Sequence, residues 1–176
     1  MYQFEYTMDE NDYFEFNKYH LFENPANKKR VLIRRLMVPL ACVVIWLIFL
    51  LLGADFDTLS VLLFVYSVFS VMWFLSYKYS LIFSLRRNIK AMKKQGKLPY
   101  SNEVIIQFNE DCFIETTSAT ETRTKYTNVE KVVLGKSAVY VYMGAIQAYI
   151  VPFSVFETEK QKEEFCAFIE NKRQCQ

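Results

Sequence analysis

The residue that most often performs acid-base catalysis occurs once in this sequence, as His20. The four cysteines stand at positions 42, 112, 166 and 175 and form no C-x-x-C pair, so neither a disulfide framework nor a zinc site is predicted. Cys112 has no evident base partner that would make it a nucleophile. His20 lies beside Tyr13 and Phe16 on a predicted helix, and we interpret it as a packed side chain. These observations predict no catalytic residue, no metal and no cofactor.

An acidic cluster at residues 9–12, DEND, has carboxylates at a spacing similar to that of a calcium-binding loop. It lacks the glycine of the sharp turn and the later bidentate glutamate, and acids in the first turn of a helix explain it better. The four glycines never occur in a G-x-G-x-x-G or Walker spacing, and no serine lies in a G-x-S-x-G elbow. Nucleotide binding and serine-nucleophile chemistry are therefore not predicted.

Basic side chains are the remaining functional candidates. They form two clusters that flank the apolar part of the chain: Lys28, Lys29, Arg30, Arg34, Arg35, Arg86, Arg87, Lys90, Lys93, Lys94 and Lys97. Near an anionic leaflet each basic group contributes about 1 kcal/mol of attraction, so we predict that these side chains contact membrane lipid. Residues 84–97 are predicted to form an amphipathic helix along the inner leaflet. The alternative is that the charges only set the orientation of the chain in the membrane.

Two uncharged apolar runs, Leu36–Leu52 and Leu59–Leu75, lie between the basic clusters. At roughly −0.3 to −0.6 kcal/mol per Leu, Ile, Val or Phe near the bilayer centre, each run contributes about −3 to −7 kcal/mol towards insertion. A span needs about 20 residues, so we predict transmembrane helices at about 31–53 and 59–78, within a hairpin at 28–79. Two buried helices of a soluble bundle are the alternative, but neither run has the polar stripe expected at helical spacing.

The distribution of charge predicts the orientation of this hairpin. Basic residues near membrane segments stay cytoplasmic, and both basic clusters lie beyond the outer ends of the apolar runs. Both termini are therefore predicted to be cytoplasmic, in a multi-pass protein of the bacterial cytoplasmic membrane. The connection at 53–58 then faces outwards. There Gly53 can end the first helix with a positive φ, and we expect Asp55 and Asp57 to be solvated rather than metal-binding.

Residues 99–176, which follow a basic linker at 80–98, predict a small α+β domain. Short alternating segments broken by Asn, Asp and Gly indicate antiparallel strands. Thr158 and Gln161 have the spacing of a capping box, which predicts a C-terminal helix with one apolar face on the sheet.

The first 27 residues, 1–27, predict one strand and one helix on the same side of the membrane as residues 99–176. The strand covers Tyr2–Tyr6, and Thr7 with Glu10 is predicted to cap the helix. If this strand joins the later sheet, seven strands followed by one helix have the element count of a pleckstrin-homology-like (PH-like) domain. The predicted fold is therefore an α+β membrane protein, with a two-helix transmembrane hairpin and a cytosolic antiparallel PH-like β-barrel or sheet with a C-terminal helix.

The order of these parts is similar to a known family. The opening FEYTMDENDYFEFNKYH, the two apolar runs, and Phe108 followed by the closing AYIVPFSVFETEKQKEEFCAFI resemble the YcxB-like family of bacterial membrane proteins. The resemblance covers nearly the whole chain. It implies a PH-like C-terminal part, and it implies no activity and no catalytic residue.

Residues 99–176 are acidic, since they contain eight basic and eleven acidic side chains. This charge restricts the kind of partner that the domain can bind. An acidic domain is repelled by anionic lipid and nucleic acid, so we predict a protein partner, a homo-oligomer or contact with the basic linker, and no nucleic acid. The predicted function is a membrane-anchored, non-enzymatic protein that displays a cytosolic PH-like interaction domain in a regulatory, scaffold or immunity role. The alternative is a small membrane-bound enzyme that acts on lipid or isoprenoid at the inner interface and requires His20.

Overall fold

The structure, a computed structural model, describes residues 2–144 and 147–174, apart from the side chain of Ala26. It is an α+β protein, as predicted. The elements in chain order are β1 (Tyr2–Thr7), α1 (Glu10–Phe22), α2 (Pro25–Leu51), α3 (Phe56–Lys94), β2 (Glu103–Phe108), β3 (Cys112–Thr117), β4 (Glu121–Lys125), β5 (Lys131–Leu134), β6 (Ala138–Tyr142), β7 (Ala148–Pro152) and α4 (Glu159–Gln174). They form two compact units, one from the described parts of Met1–His20 and Ile89–Gln176 and the other from Leu21–Asn88.

The first unit contains a four-stranded antiparallel sheet in the order β1-β2-β3-β4. β1 pairs with β2 along its whole length. The hydroxyl of Tyr6 also donates a hydrogen bond of 2.7 Å to the carbonyl of Ile150, 144 residues later in the chain. The hypothesis that the N-terminal strand joins the sheet of the C-terminal domain is therefore confirmed.

The other three strands form a second antiparallel sheet, in the order β5-β6-β7. In the described residues the seven strands thus lie in two sheets and do not close into a barrel, which corrects the barrel form of the prediction. The chain is redirected between β4 and β5 by a 3-10 turn, Tyr126–Asn128. Tyr126 is fully buried there, and its hydroxyl donates to the carbonyl of Asn109 at 2.8 Å.

The core of this unit joins residues of both sheets and α4. Alternate residues of β2, from Val104 to Phe108, are at most 2% exposed, as expected when one face of a strand is buried. Phe165 and Ile169, four residues apart on α4, are both 0% exposed. The ring centroids of Phe165 and Phe108 lie 4.8 Å apart in an edge-on arrangement, which is worth about 0.5–1.5 kcal/mol beyond area burial.

The helix caps agree with the sequence at α4 and differ from it at α1. The backbone amide of Gln161 donates to the Oγ1 of Thr158 at 3.2 Å, so the predicted cap of α4 is confirmed. At α1 the backbone amides of Asn11 and Asp12 donate to the Oδ1 of Asp9, at 2.7 and 2.8 Å. The predicted cap, Thr7, is wrong because that residue remains paired in β1.

The second unit is a hairpin of α2 and most of α3. Gly53, with φ 78°, ends α2 as predicted. The carboxylate of Asp55 starts α3 by accepting hydrogen bonds from the amide and hydroxyl of Thr58, at 2.9 and 2.8 Å. The indole of Trp46 donates to the carbonyl of Leu59 at 2.9 Å, and this contact joins the two helices near the turn.

Both long helices expose apolar surface. In each of them only 6% of the most apolar 18-residue window is buried. Leu51 and Phe56, on either side of the turn, are 85% and 83% exposed. The helices are long and apolar enough to cross a membrane, whereas a core helix of a soluble protein would be mostly buried.

α3 extends further than predicted, since it continues through the basic segment to Lys94. Its 39 residues span about 58 Å at 1.5 Å per residue. The segment contains no glycine or proline before Gly96, which has φ 66° and ends the helix; the amide of Lys97 donates to the carbonyl of Met92 at 3.0 Å. Most of the predicted linker at 80–98 is therefore part of α3. It continues the apolar part of that helix without a break.

Candidate interaction surfaces

The first basic cluster lies on the opening turns of α2. Pro25 is the first helical residue, so the cluster lies inside the helix. Four of its side chains are exposed: Lys28, Lys29, Arg30 and Arg34. Their contact with anionic lipid stays a prediction.

Arg35 differs from the rest of its cluster because it contacts the other helix. Its Nε donates to the carbonyl of Phe74 at 2.7 Å, and its guanidinium carbon lies 3.5 Å from the centroid of the Phe74 ring. A cation over an aromatic ring gains about 0.5–2 kcal/mol. Arg35 thus joins α2 to α3 at the end of the hairpin opposite the turn, whether or not it also contacts lipid.

The second basic cluster lies on the last turns of α3 and just beyond them. Its side chains are all exposed: Arg86, Arg87, Lys90, Lys93, Lys94 and Lys97. Ile89 lies among them and is 1% exposed, so the segment has one buried side and one basic side, as its amphipathic pattern predicts.

Lys93 also contacts an acid of α1. Its Nζ lies 3.2 Å from the Oε2 of Glu10, and the two side chains are 60% and 29% exposed. An ion pair of this exposure contributes at most about 1 kcal/mol. The contact nevertheless places one cation of the basic segment beside the acids that begin α1.

A groove of about 570 Å³ opens in the first unit. Its walls include Tyr13 of α1, Tyr100 before β2, Glu115 of β3 and Tyr149 of β7. Within the described part of the chain, no histidine, cysteine, lysine or arginine lines it. It therefore offers aromatic rings, hydroxyl groups and one carboxylate, but no nucleophile-base pair.

Glu115 occupies an inward-facing position of the sheet. It lies two residues after Phe113 and opposite Ile106 of β2, and both of these residues are 0% exposed. Because alternate residues of a strand share a face, the Glu115 carboxylate lies on the core side of β3. Among the described residues no cationic group lies within salt-bridge distance of it.

Burial, together with nearby acids, affects the ionisable groups in and beside the groove. Burial raises the pKa of the Glu115 carboxyl above its ordinary value. Burial, and to a smaller extent the charge of Glu115, raises the pKa of the phenols of Tyr6 and Tyr149. Burial also raises the pKa of Tyr100, with smaller contributions from the acids at positions 10, 9 and 12.

The tyrosine rings of the groove are held in place by neighbouring groups. The Tyr149 hydroxyl and the Thr124 Oγ1 lie 3.0 Å apart, and the Tyr149 ring meets Phe113 edge-on at 5.0 Å. The centroids of Tyr13 and Tyr100 are 5.3 Å apart with their planes at 40°. Contacts within the protein therefore fix the positions of these aromatic walls.

The single histidine does not line this groove. The ring of His20 lies 6.3 Å from that of Tyr142 and 6.2 Å from that of Phe16, which confirms its interpretation as a packed side chain. Burial, followed by the charge of Lys131, lowers its pKa. The alternative function, an enzyme that requires His20, stays a prediction.

Cys112 is 3% exposed, and its Sγ lies 3.0 Å from the Nε of Arg123. An arginine is always protonated, so it cannot act as a general base, and the burial of the thiol limits its access to a substrate. The described cysteines, which exclude Cys175, are free thiols. Across the described residues no three His, Cys, Asp or Glu side chains are grouped to hold a metal.

Sequence reasoning missed the groove and Glu115. The walls come from segments that are distant in the chain, and nothing in their local patterns indicates that they meet. One signal was available, since the segment CFIETT places a glutamate where strict alternation expects an inward apolar side chain.

Comparison with known proteins finds one relationship. Residues 108–169 match the family model described as YcxB-like protein. The resemblance is therefore confirmed over this segment, which contains Glu115 and Tyr149. Neither the curated proteins nor the solved structures contain a match to the chain.

Proposed function

We propose that this chain is a membrane-anchored, non-enzymatic protein that displays a PH-like domain for protein interaction on the cytoplasmic side of the bacterial membrane. One observation carries the proposal. A hairpin whose most apolar windows are only 6% buried is joined to a unit that has its own core. Exposed apolar surface of this extent needs an apolar environment, and the bilayer supplies it.

The orientation follows from charge. The start of α2 and the end of α3 carry the basic clusters, while the turn between the helices carries only the acids Asp55 and Asp57. Cytoplasmic flanks of membrane helices are enriched in Lys and Arg. The first unit and both termini then lie in the cytoplasm.

The strand arrangement supports a PH-like domain. Antiparallel sheets of four and three strands precede a C-terminal helix that packs on them, and the hairpin is inserted after the first strand. The YcxB-like match over residues 108–169 supports a bacterial membrane protein. The domain then serves a regulatory, scaffold or immunity role through the protein it binds.

The chemistry of the groove favours a protein partner over a lipid headgroup. Recognition of an anionic headgroup requires basic side chains, and none lines the groove within the described residues. The exposed basic residues lie instead on α2, on α3 and just beyond it, and their charge suits contact with anionic lipid.

Cysteine accessibility tests the orientation. In a variant with its native cysteines replaced by serine, Asp57→Cys is expected to react with a membrane-impermeant maleimide in intact cells. The matched variant Thr120→Cys, in the first unit, is expected to react only after permeabilisation. Labelling of Thr120→Cys in intact cells contradicts the proposed topology.

Photo-crosslinking in native membranes tests the interaction. A photoreactive residue at Thr120, on the rim of the groove, is expected to capture a specific protein, whereas one at the exposed Asn171 of α4 is not. The captured protein should bind the purified full chain. Capture of lipid alone from Thr120 contradicts a role in protein interaction.

A further inference from the structure

The groove of the first unit has the size of a ligand site. Its volume of about 570 Å³ lies within the range of roughly 300–1,000 Å³ that small ligands and inserted side chains occupy. It is lined by parts of α1, the segment before β2, and both sheets, so its shape depends on the folded unit.

The carboxylate of Glu115 is the group that most needs a partner. The other nearby acids already have one: Glu10 pairs with Lys93, Asp9 accepts hydrogen bonds from amides in the first turn of α1, and Asp12 accepts one from the amide of Asp9. Glu115 is half-buried and faces the core side of the sheet, and it has no ion pair among the described residues. An unpaired charge in such a position lowers the stability of the folded protein. A glutamine, which has the same shape and no charge, would not have this cost.

The aromatic walls complement the same kind of ligand. Tyr13, Tyr100 and Tyr149 supply rings in the groove that contains Glu115. A cation gains energy over an aromatic face as well as beside a carboxylate, and ammonium groups are bound in this way by cages of aromatic rings. An anion or a purely apolar ligand would leave the carboxylate without compensation.

The position of the groove favours a side chain presented by a polypeptide. Ala148–Ile150 of β7 line it, and β7 has β6 as its only strand neighbour in the described sheets. The Ile150 carbonyl is buried and already accepts the Tyr6 hydroxyl, whereas Ala148 and Tyr149 are partly exposed. An extended segment of a partner can lie beside this exposed end of β7 with one side chain directed into the groove.

We propose that this groove binds one organic cation, the ammonium or guanidinium group of a lysine or arginine side chain on a partner polypeptide. The identity of the partner as a polypeptide rests on the proposed function; the cation site does not. Glu115 pairs with the cation, and the three tyrosine rings surround its aliphatic stem and charged end.

The test uses the full chain in neutral detergent micelles and measures NMR shifts of the Thr117 and Thr120 methyl groups, which line the groove. The probes are n-butylammonium, its neutral analogue n-butanol, and the pentapeptide Ala-Ala-Lys-Ala-Ala, acetylated at its N-terminus and amidated at its C-terminus, with and without acetylation of its lysine. We expect saturable shifts from n-butylammonium and tighter binding of the unmodified peptide. Neither n-butanol nor the acetylated peptide should produce them.

Two variants and a control identify the groups responsible. Glu115→Gln is expected to weaken binding at least tenfold, and Tyr100→Leu about two- to fivefold. The matched control Glu5→Gln removes an exposed carboxylate from the opposite face of the same sheet and should leave binding unchanged. Because Glu115→Gln removes an unpaired charge, it should not lower the melting temperature, so lost binding cannot be assigned to misfolding.

Equal shifts from n-butylammonium and n-butanol, or unchanged binding by Glu115→Gln, overturn the cation site. Weaker binding of the lysine peptide than of n-butylammonium overturns a polypeptide as its source. The proposed function fails separately, if crosslinking captures only lipid while n-butylammonium still binds through Glu115.

Discussion

The two units of this chain bury apolar surface to opposite extents. In the first unit, Phe108, Phe113 and Phe165 are 0% exposed within a core shared by two sheets and a helix. In the hairpin, Leu51 and Phe56 are more than 80% exposed. The first unit is therefore stabilised by its own packing, while the hairpin depends on its surroundings for the same contribution.

The polar contacts of the two units differ in a related way. In the hairpin, Arg35 and Trp46 each reach across to a main-chain carbonyl of the other helix. Where a helix has few polar side chains, its main-chain carbonyl groups are the available hydrogen-bond acceptors. Hydrogen bonds between helices average about 0.6 kcal/mol in membrane proteins. In the first unit, by contrast, Glu115 has no partner within the described residues, and its charge is open to a ligand.

The largest effect is expected from the core of the first unit. Phe165→Ala removes a fully buried ring and should lower the free energy of unfolding by about 3–5 kcal/mol. The matched variant Phe83→Ala, at a 68% exposed position of α3, should have little effect on the same transition. Chemical denaturation followed by tyrosine fluorescence measures both. Similar losses in the two variants would break the contrast between the units.

A charge in the hairpin tests the other side of the comparison. Val44 is 54% exposed near the middle of the apolar run Leu36–Leu52, and Val44→Arg should oppose membrane insertion by about 2.5–3.5 kcal/mol. Val44→Leu is the control. Carbonate extraction should release the arginine variant and retain the leucine variant, while the first unit melts at the same temperature in both. Full retention of the arginine variant argues against a lipid-facing Val44.

A smaller effect with a defined pH dependence is expected at Glu115. Burial raises its pKa in the folded state, so the folded protein resists ionisation and the wild type is destabilised at pH values above that pKa. Near pH 7.5 the Glu115→Gln variant should therefore be about 1 kcal/mol more stable than the wild type. The difference is small because the carboxylate is only half-buried and stays partly hydrated. The difference should shrink as the pH falls through the folded pKa, and vanish below 4.5, the ordinary value. Thermal unfolding of both proteins across pH measures it. A more stable wild type at pH 7.5 contradicts an unpaired Glu115.

The smallest effect is expected at the contact between the basic segment and α1. Lys93→Met removes an exposed ion pair with Glu10 and should cost less than about 0.5 kcal/mol. Lys90→Met, in the same cluster, is the control for loss of charge. Thermal unfolding at low and high salt compares the two variants. A loss above 1 kcal/mol for Lys93→Met alone would mean that this pair is more than a surface contact.

Much of the first unit could be predicted because its strands have strict local patterns. The segments EVIIQF and CFIETT alternate and are bounded by turn residues, and the structure forms β2 and β3 over those same residues. The hypothesis that the N-terminal strand could join them rested on compartment alone, and its pairing with β2 confirms it. Closure into a barrel was wrong because counting strands does not determine which edges pair.

Errors in the sequence predictions arose where a long-range contact overrides a local signal. Thr7 has the spacing of a helix cap, but pairing with β2 keeps it in the sheet and leaves the cap to Asp9. The sequence predicted no hydrogen bond for Trp46, because its indole meets the carbonyl of Leu59 only when the two helices of the hairpin pack together. The amphipathic helix predicted within the basic segment is present, but it continues α3 without a break and is not a separate helix.

Two apolar helices, the basic clusters that flank them and the antiparallel strands could be predicted from the amino-acid sequence, because periodicity, length and charge are properties of neighbouring residues. Tertiary structure alone decided the groove, the isolation of Glu115 from any described cation and the contact between Arg35 and Phe74. The physical reason is that burial and electrostatic partners depend on which distant segments pack together, and local patterns do not encode that choice.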